Sequence, residues 1–147
     1  SSSGLREALE DHLHETEVQA RRLEQIFQML EMEPKQTKCK AMAGIIAEGD
    51  EWLGEKGKPG VKDAGMIAIA QRVEHYEIAG YGCVRTYAQL LGDDRAAHLL
   101  QTTLDEEGAA DKKLTDLAKK INVQAEDANE KRAPSNSSRS RKEKSNS

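Results

Sequence analysis

Aromatic residues make up only 3% of this 147-residue chain: one Trp, three Tyr and one Phe. That shortage suits a β-sandwich poorly and favours closely packed helices built from Leu, Ile, Ala, Val and Met. Proline is also scarce, at three residues, and neither Pro nor Gly interrupts the stretch from Leu5 to Glu33. Only two cysteines occur, Cys39 and Cys83, without motif spacing. They are expected to be two buried thiols in a reducing compartment, and the lack of thiolate ligands argues against a structural zinc. No apolar run approaches the roughly 20 residues of a membrane span, and no signal peptide is visible. A soluble, cytoplasmic protein is therefore expected. The chain begins Ser-Ser-Ser-Gly without an initiator Met, so the native start is expected upstream.

A hydrophobic content of 37% over 147 residues is enough for one domain with a core. The formal charge of −4 is spread unevenly. Residues 125–147 carry six Lys/Arg and four Asp/Glu, which leaves 16 bases against 22 acids on the first 124. An acidic body makes a poor nucleic-acid binder but can gather cations. The mixed tail offers phosphate little net attraction.

Apolar periodicity predicts four helices. The first covers 4–32, with Leu5, Leu9, His12, Thr16, Gln19, Leu23, Ile26 and Leu30 on one side, and Pro34 stops it. A shorter one begins at Thr37 and covers 37–53. The glycine-rich stretch 54–60 is a loop. A third helix covers 63–91, with Asp63 as N-cap and Ile67, Ala70, Val73 or Glu74, Glu77, Tyr81, Val84 and Ala88 inward. Gly80 and Gly82 weaken this helix and are expected to admit a close neighbouring helix. After a Gly92-Asp93-Asp94 turn, the fourth covers 94–120, with Ala96, Leu100, Thr103, Leu104, Ala110, Leu114 and Leu117 inward. These make one domain, 4–122, followed by a disordered polar tail, 125–147.

Acids fall on stripes that should be apolar. His12 and Glu15 are three apart on one helix face, as are Glu74 and Glu77. The dull reading is a solvated edge, where His14 and Glu17 belong. Several acids facing inward from different helices would each cost several kcal/mol without a cation. Imidazole with carboxylates suits iron or manganese. Glu106 and Glu107 are adjacent, so one at most points inward. An internal echo of residues 12–17 in 103–108 pairs Glu15 with Glu106 and favours Glu106. A shared face with Leu104, Asp111 and Leu114 favours Glu107, held in reserve. The candidate ligands are thus His12, Glu15, Glu74, Glu77 and Glu106. Tyr76, Tyr81 and Tyr87 are expected to pack the core, with a hydroxyl on an acid. His75 points aside.

The stretches Leu-Glu-Asp-His-Leu-His-Glu-Thr-Glu at 9–17, Cys39 to Gly49, Val-Glu-His-Tyr-Glu-Ile-Ala at 73–79 and Leu-Asp-Glu-Glu at 104–107 resemble the YciE/YciF family of ferritin-like proteins. The resemblance covers residues 4–122. It implies an all-α, ferritin-like four-helix bundle with a dinuclear iron or manganese carboxylate centre, a bacterial stress role, and ferroxidase-type or peroxide-consuming activity toward O2 or peroxide. The family's opening helix, which carries an inward glutamate, is expected to be missing from this chain. An apolar seam left by that helix would favour a homodimer. The ferritin Glu-x-x-His order is absent too, since Val18 and Ala109 stand where its histidines are sought. The competing expectation is a metal-free helical module that acts through dimerisation.

Overall fold

The computed structural model describes residues 2–130, and all its regular structure is helical: α1 (Ser3–Met29), α2 (Lys40–Gly54), α3 (Pro59–Leu90) and α4 (Asp94–Glu130). α1 and α3 pack on α4, while the short α2 packs on α3.

The buried seam follows a seven-residue repeat on each long helix. Leu5, His12, Gln19 and Ile26 form it on α1; Ile67, Glu74, Tyr81 and Ala88 on α3; Leu100, Glu107, Leu114 and Ile121 on α4. That spacing keeps one stripe facing its neighbours along the whole length of a helix. The repeat is apolar at its ends and polar in the middle. One apolar cluster joins Leu5, Ile67, Leu114 and Ile121, and another joins Ile26, Ala88, Ala96, Ala97 and Leu100. These pairings make α1 parallel to α3 and α4 antiparallel to both. They also place His12, Gln19, Glu74, Tyr81 and Glu107 together between the two clusters.

Helix ends differ from expectation where caps outrank periodicity. α1 ends at Met29, five residues before Pro34. Glu31 takes a left-handed φ of 54° there, Met32 N–H donates to Phe27 O, and Glu31 N–H donates to Gln28 O. α2 starts at Lys40 rather than Thr37, because the Cys39 Sγ accepts from Met42 N–H at 3.4 Å. α3 starts at Pro59, a residue whose fixed φ suits the first helical turn. Asp63 is therefore no cap: it lies buried within the helix and accepts from Ser2 N–H at 2.6 Å. Gly92, at φ 75°, closes α3, and Asp93 Oδ1 then caps α4 by accepting from Ala96 N–H at 2.9 Å. α4 continues through the expected boundary at 122 to Glu130, and the rest of the predicted tail lies outside the described residues.

Gly80 and Gly82 admit no neighbour, since open space surrounds both. The close approach is at Gly65, where an added Cβ would fall within the Trp52 indole; at Gly49 it would meet Ile69 Cγ2 at 3.3 Å, a milder crowding. Trp52 Nε1 donates to Lys62 O at 3.1 Å, which fixes α2 over the N-terminal half of α3. Among the described residues, no helix is long and apolar enough to cross a membrane.

Candidate metal centre

In the polar middle layer, His12 from α1, Glu74 and Glu77 from α3, and Glu107 from α4 converge. Each offers one ligand atom, and these atoms lie within 4.8 Å of one another. Glu107 is 0% exposed and Glu74 is 2% exposed. His12 Nε2 lies 3.1 Å from Glu74 Oε1. Both Glu107 oxygens, Glu74 Oε2 and His12 Nδ1 are buried without a hydrogen-bond partner. Ionised carboxylates only accept, so Glu74 and Glu107 cannot satisfy each other. A proton on Glu74, donated to Glu107, would satisfy one oxygen of each and leave the second Glu107 oxygen unpaired; a cation between them could serve all three. The orphaned oxygens and the imidazole fit a divalent ion.

The electrostatics record the same strain. Burial first, then Glu107 as an acceptor for a proton held on Glu74, and then its charge, push the Glu74 carboxyl up to about 9. Burial also raises Glu77, with the Glu107 charge adding to it and His12 opposing. A raised acid holds its proton more tightly in the fold than in the unfolded chain. Its stabilising effect is complete below the ordinary value of 4.5 and is lost as pH rises toward about 9. Chelator-treated protein should therefore lose stability between those limits in urea unfolding. The Glu74→Gln variant should show a flatter dependence.

Two sequence candidates stand apart from the cluster. Glu106 turns to α1, where Arg22 grips it with two bonds of 2.9 Å and Gln19 Nε2 donates at 3.3 Å. That pairing with Arg22 holds its carboxyl below the ordinary range. The internal echo misdirected here: it aligned compositions, whereas the seven-residue repeat through Leu100 and Leu114 selects Glu107. Arg22 was the missed signal, because a base on the Gln19–Ile26 side needs an acid opposite. Glu15 is 49% exposed, with its Oε2 3.6 Å from His12 Nδ1, beyond hydrogen-bond range.

Neighbouring groups also sort themselves. Burial, then the Glu77 and Glu107 charges, push the half-buried Tyr81 hydroxyl up to about 12. Tyr76 and Tyr87 are exposed rather than in the core. His75 is exposed and lies 3.2 Å from Asp111, and His14 with Glu17 is likewise at the surface. The cysteines are exposed, not buried. Cys39 caps α2, and its Sγ sits 3.0 Å from the Tyr76 hydroxyl.

Comparison with known proteins agrees with this architecture. Residues 1–127 match the family described as "Domain of unknown function (DUF892)". Protein YciF of Escherichia coli (strain K12) is 46% identical over 128 residues, spanning 86% of this chain and 77% of that protein. The crystal structure of the E. coli stress protein YciF superposes with a TM-score of 0.80, covering 82% of this chain and 77% of that one. YcfI from Rhodopseudomonas palustris superposes with a TM-score of 0.75 at 43% identity, covering 78% of this chain and 73% of that one.

Proposed function

This chain belongs to the DUF892 family, and we propose that it is a stress-response protein binding iron or manganese in a carboxylate centre. His12, Glu74, Glu77 and Glu107 hold the ion. The observation that carries this reading is the set of unpartnered polar atoms on buried Glu74 and Glu107. Each of these two acids has an oxygen to spare for a neighbouring ion, and Glu15 stands beside His12, which supports a dinuclear form. Iron or manganese, when bound, supplies one-electron chemistry toward O2 or peroxide, a ferroxidase-type or peroxide-consuming activity. The protein supplies three things of its own. The apolar clusters above and below close the two ends of the layer to water. Arg22, paired with Glu106, opposes the rise of the Tyr81 hydroxyl beside the layer. Glu74 gives up its proton when a cation arrives.

That last point gives the test. Mn(II) added to chelator-treated protein at pH 7 should be taken up with release of protons to the buffer, measured by calorimetry in buffers of different ionisation enthalpy. A chain that takes up neither Mn(II) nor Fe(II) sinks the proposal.

One observation favours a second reading, a metal-free helical interaction module. A proton on Glu74 can be donated to one Glu107 oxygen, so that the pair shares a single negative charge with no ion at all. Val84, Tyr87, Leu90 and Leu91 are exposed toward the C-terminal end of α3 and support a homodimer under either reading. The cytoplasm, where Cys39 and Cys83 would stay reduced, is the proposed compartment.

A further inference from the structure

A cleft of about 530 Å³ between α1 and α4 leads from solvent to the acid layer. Its inner end is formed by His12 and Glu74, and its outer rim includes Glu10, Asp11, Glu15 and Lys113. Small side chains on α4, Ala109 and Ala110, leave the opening. Across the mouth, Lys113 Nζ donates to Asp11 Oδ2 at 2.8 Å, and both partners are at least half exposed. Rim acids alone would mean little. The inner wall adds Glu74, 2% exposed, whose Oε2 has no hydrogen-bond partner. An unsatisfied buried acceptor at the end of an acid-rimmed cleft is a destination for positive charge.

We infer that the α1–α4 cleft is the port through which a hydrated divalent cation reaches the acid layer, and that Lys113 opposes its passage. This rests on the cation-binding reading above. The size is adequate: an ion carrying six waters occupies roughly 200 Å³, at about 30 Å³ per water. The charge balance fits as well. Three rim carboxylates, Glu10, Asp11 and Glu15, face one ammonium, so the mouth attracts cations. Lys113 is held over it by an exposed ion pair, which is weak and easily opened. Local charge of this kind alters association rates by about tenfold or more, and salt screens the effect.

The experiment is stopped-flow uptake of Co(II), followed by its visible absorption, in the full chain and two variants at low and high salt. Neither variant touches the four ligands. Lys113→Gln should take up Co(II) about threefold faster or more at low salt, and Glu10→Gln should be slower by a similar factor. Both differences should shrink at high salt, with the number of ions bound per chain unchanged. A merely structural role for Lys113 predicts slower or incomplete uptake, which would overturn the port. Uptake at parental rates in both variants would overturn it equally, while leaving the cation site standing. A parent chain that takes up no Co(II) overturns the site and the port together.

Discussion

Glu107→Gln should weaken cation uptake by at least about 100-fold, whereas Glu106→Gln should leave it within a few-fold of the parent. The two residues are adjacent and chemically identical, so composition cannot predict the difference; the helix face decides it. Glu107 lies at 0% exposure among His12, Glu74 and Glu77, with both oxygens unpartnered. An amide there keeps the size but loses the charge that attracts an ion, and ligand loss exceeds the 10–100-fold typical of removing a supporting group behind a ligand. Glu106 is committed to Arg22. Its amide should cost stability instead, about 1 kcal/mol, because the pair is partly exposed. Equilibrium titration with Mn(II), followed by the loss of the free-ion EPR signal, reads the first effect, and urea unfolding reads the second. Equal losses in the two variants would mean that the cluster is not the site.

Removing both orphaned acids should separate stability from binding. In the double variant Glu74→Met with Glu107→Leu, side chains of similar volume fill the layer with nothing left to satisfy. Replacing buried charged groups with well-packed apolar ones is often neutral or stabilising by about 1–4 kcal/mol. The metal-free double variant should therefore unfold at higher urea than the metal-free parent, with its pH dependence above 4.5 largely removed, since Glu74 is the group pushed up to about 9. Cation uptake should disappear altogether. A double variant that is markedly less stable than the metal-free parent would show that the protonated pair is itself a structural bond. That outcome would favour the interaction-module reading, in which a neutral Glu74 holds α3 to α4. The gain expected here is the familiar cost of a functional site: a chain selected only for stability has no reason to bury two carboxyl groups in the middle of its core.

Much of the architecture can be read in one dimension because helices repeat. The stripe Leu5, His12, Gln19, Ile26 is visible as a seven-residue period, and so are its counterparts on α3 and α4. Helix ends were less legible. α1 stops at a left-handed Glu31 rather than running on toward Pro34, and Asp63 lies inside a helix rather than at its cap. End points depend on a few hydrogen bonds worth about 1 kcal/mol each, too little to dominate a pattern. The glycines misled for a related reason. Gly65 is needed because the Trp52 indole crosses it, a fact about two helices that neither carries in its own spacing.

By itself, then, the sequence determined that the domain is helical, where most of each buried stripe runs, and that acids and a histidine interrupt those stripes; Leu30 and Val84, read as inward, are exposed. Periodicity and scarcity of aromatics are local properties, and local properties survive in a linear text. Only the tertiary structure decided which acids meet. The choice of Glu107 over Glu106, the capture of Glu106 by Arg22 and the exposure of Glu15 depend on the azimuth and depth at which three helices pack. Adjacent residues on a helix differ by about 100° in direction, so a small rotation about its axis turns one carboxylate into the core and the next toward a neighbour. That rotation is set by apolar packing at Leu5, Ile67 and Leu114 at one end and Ile26 and Leu100 at the other, about two helical turns from the acids it places.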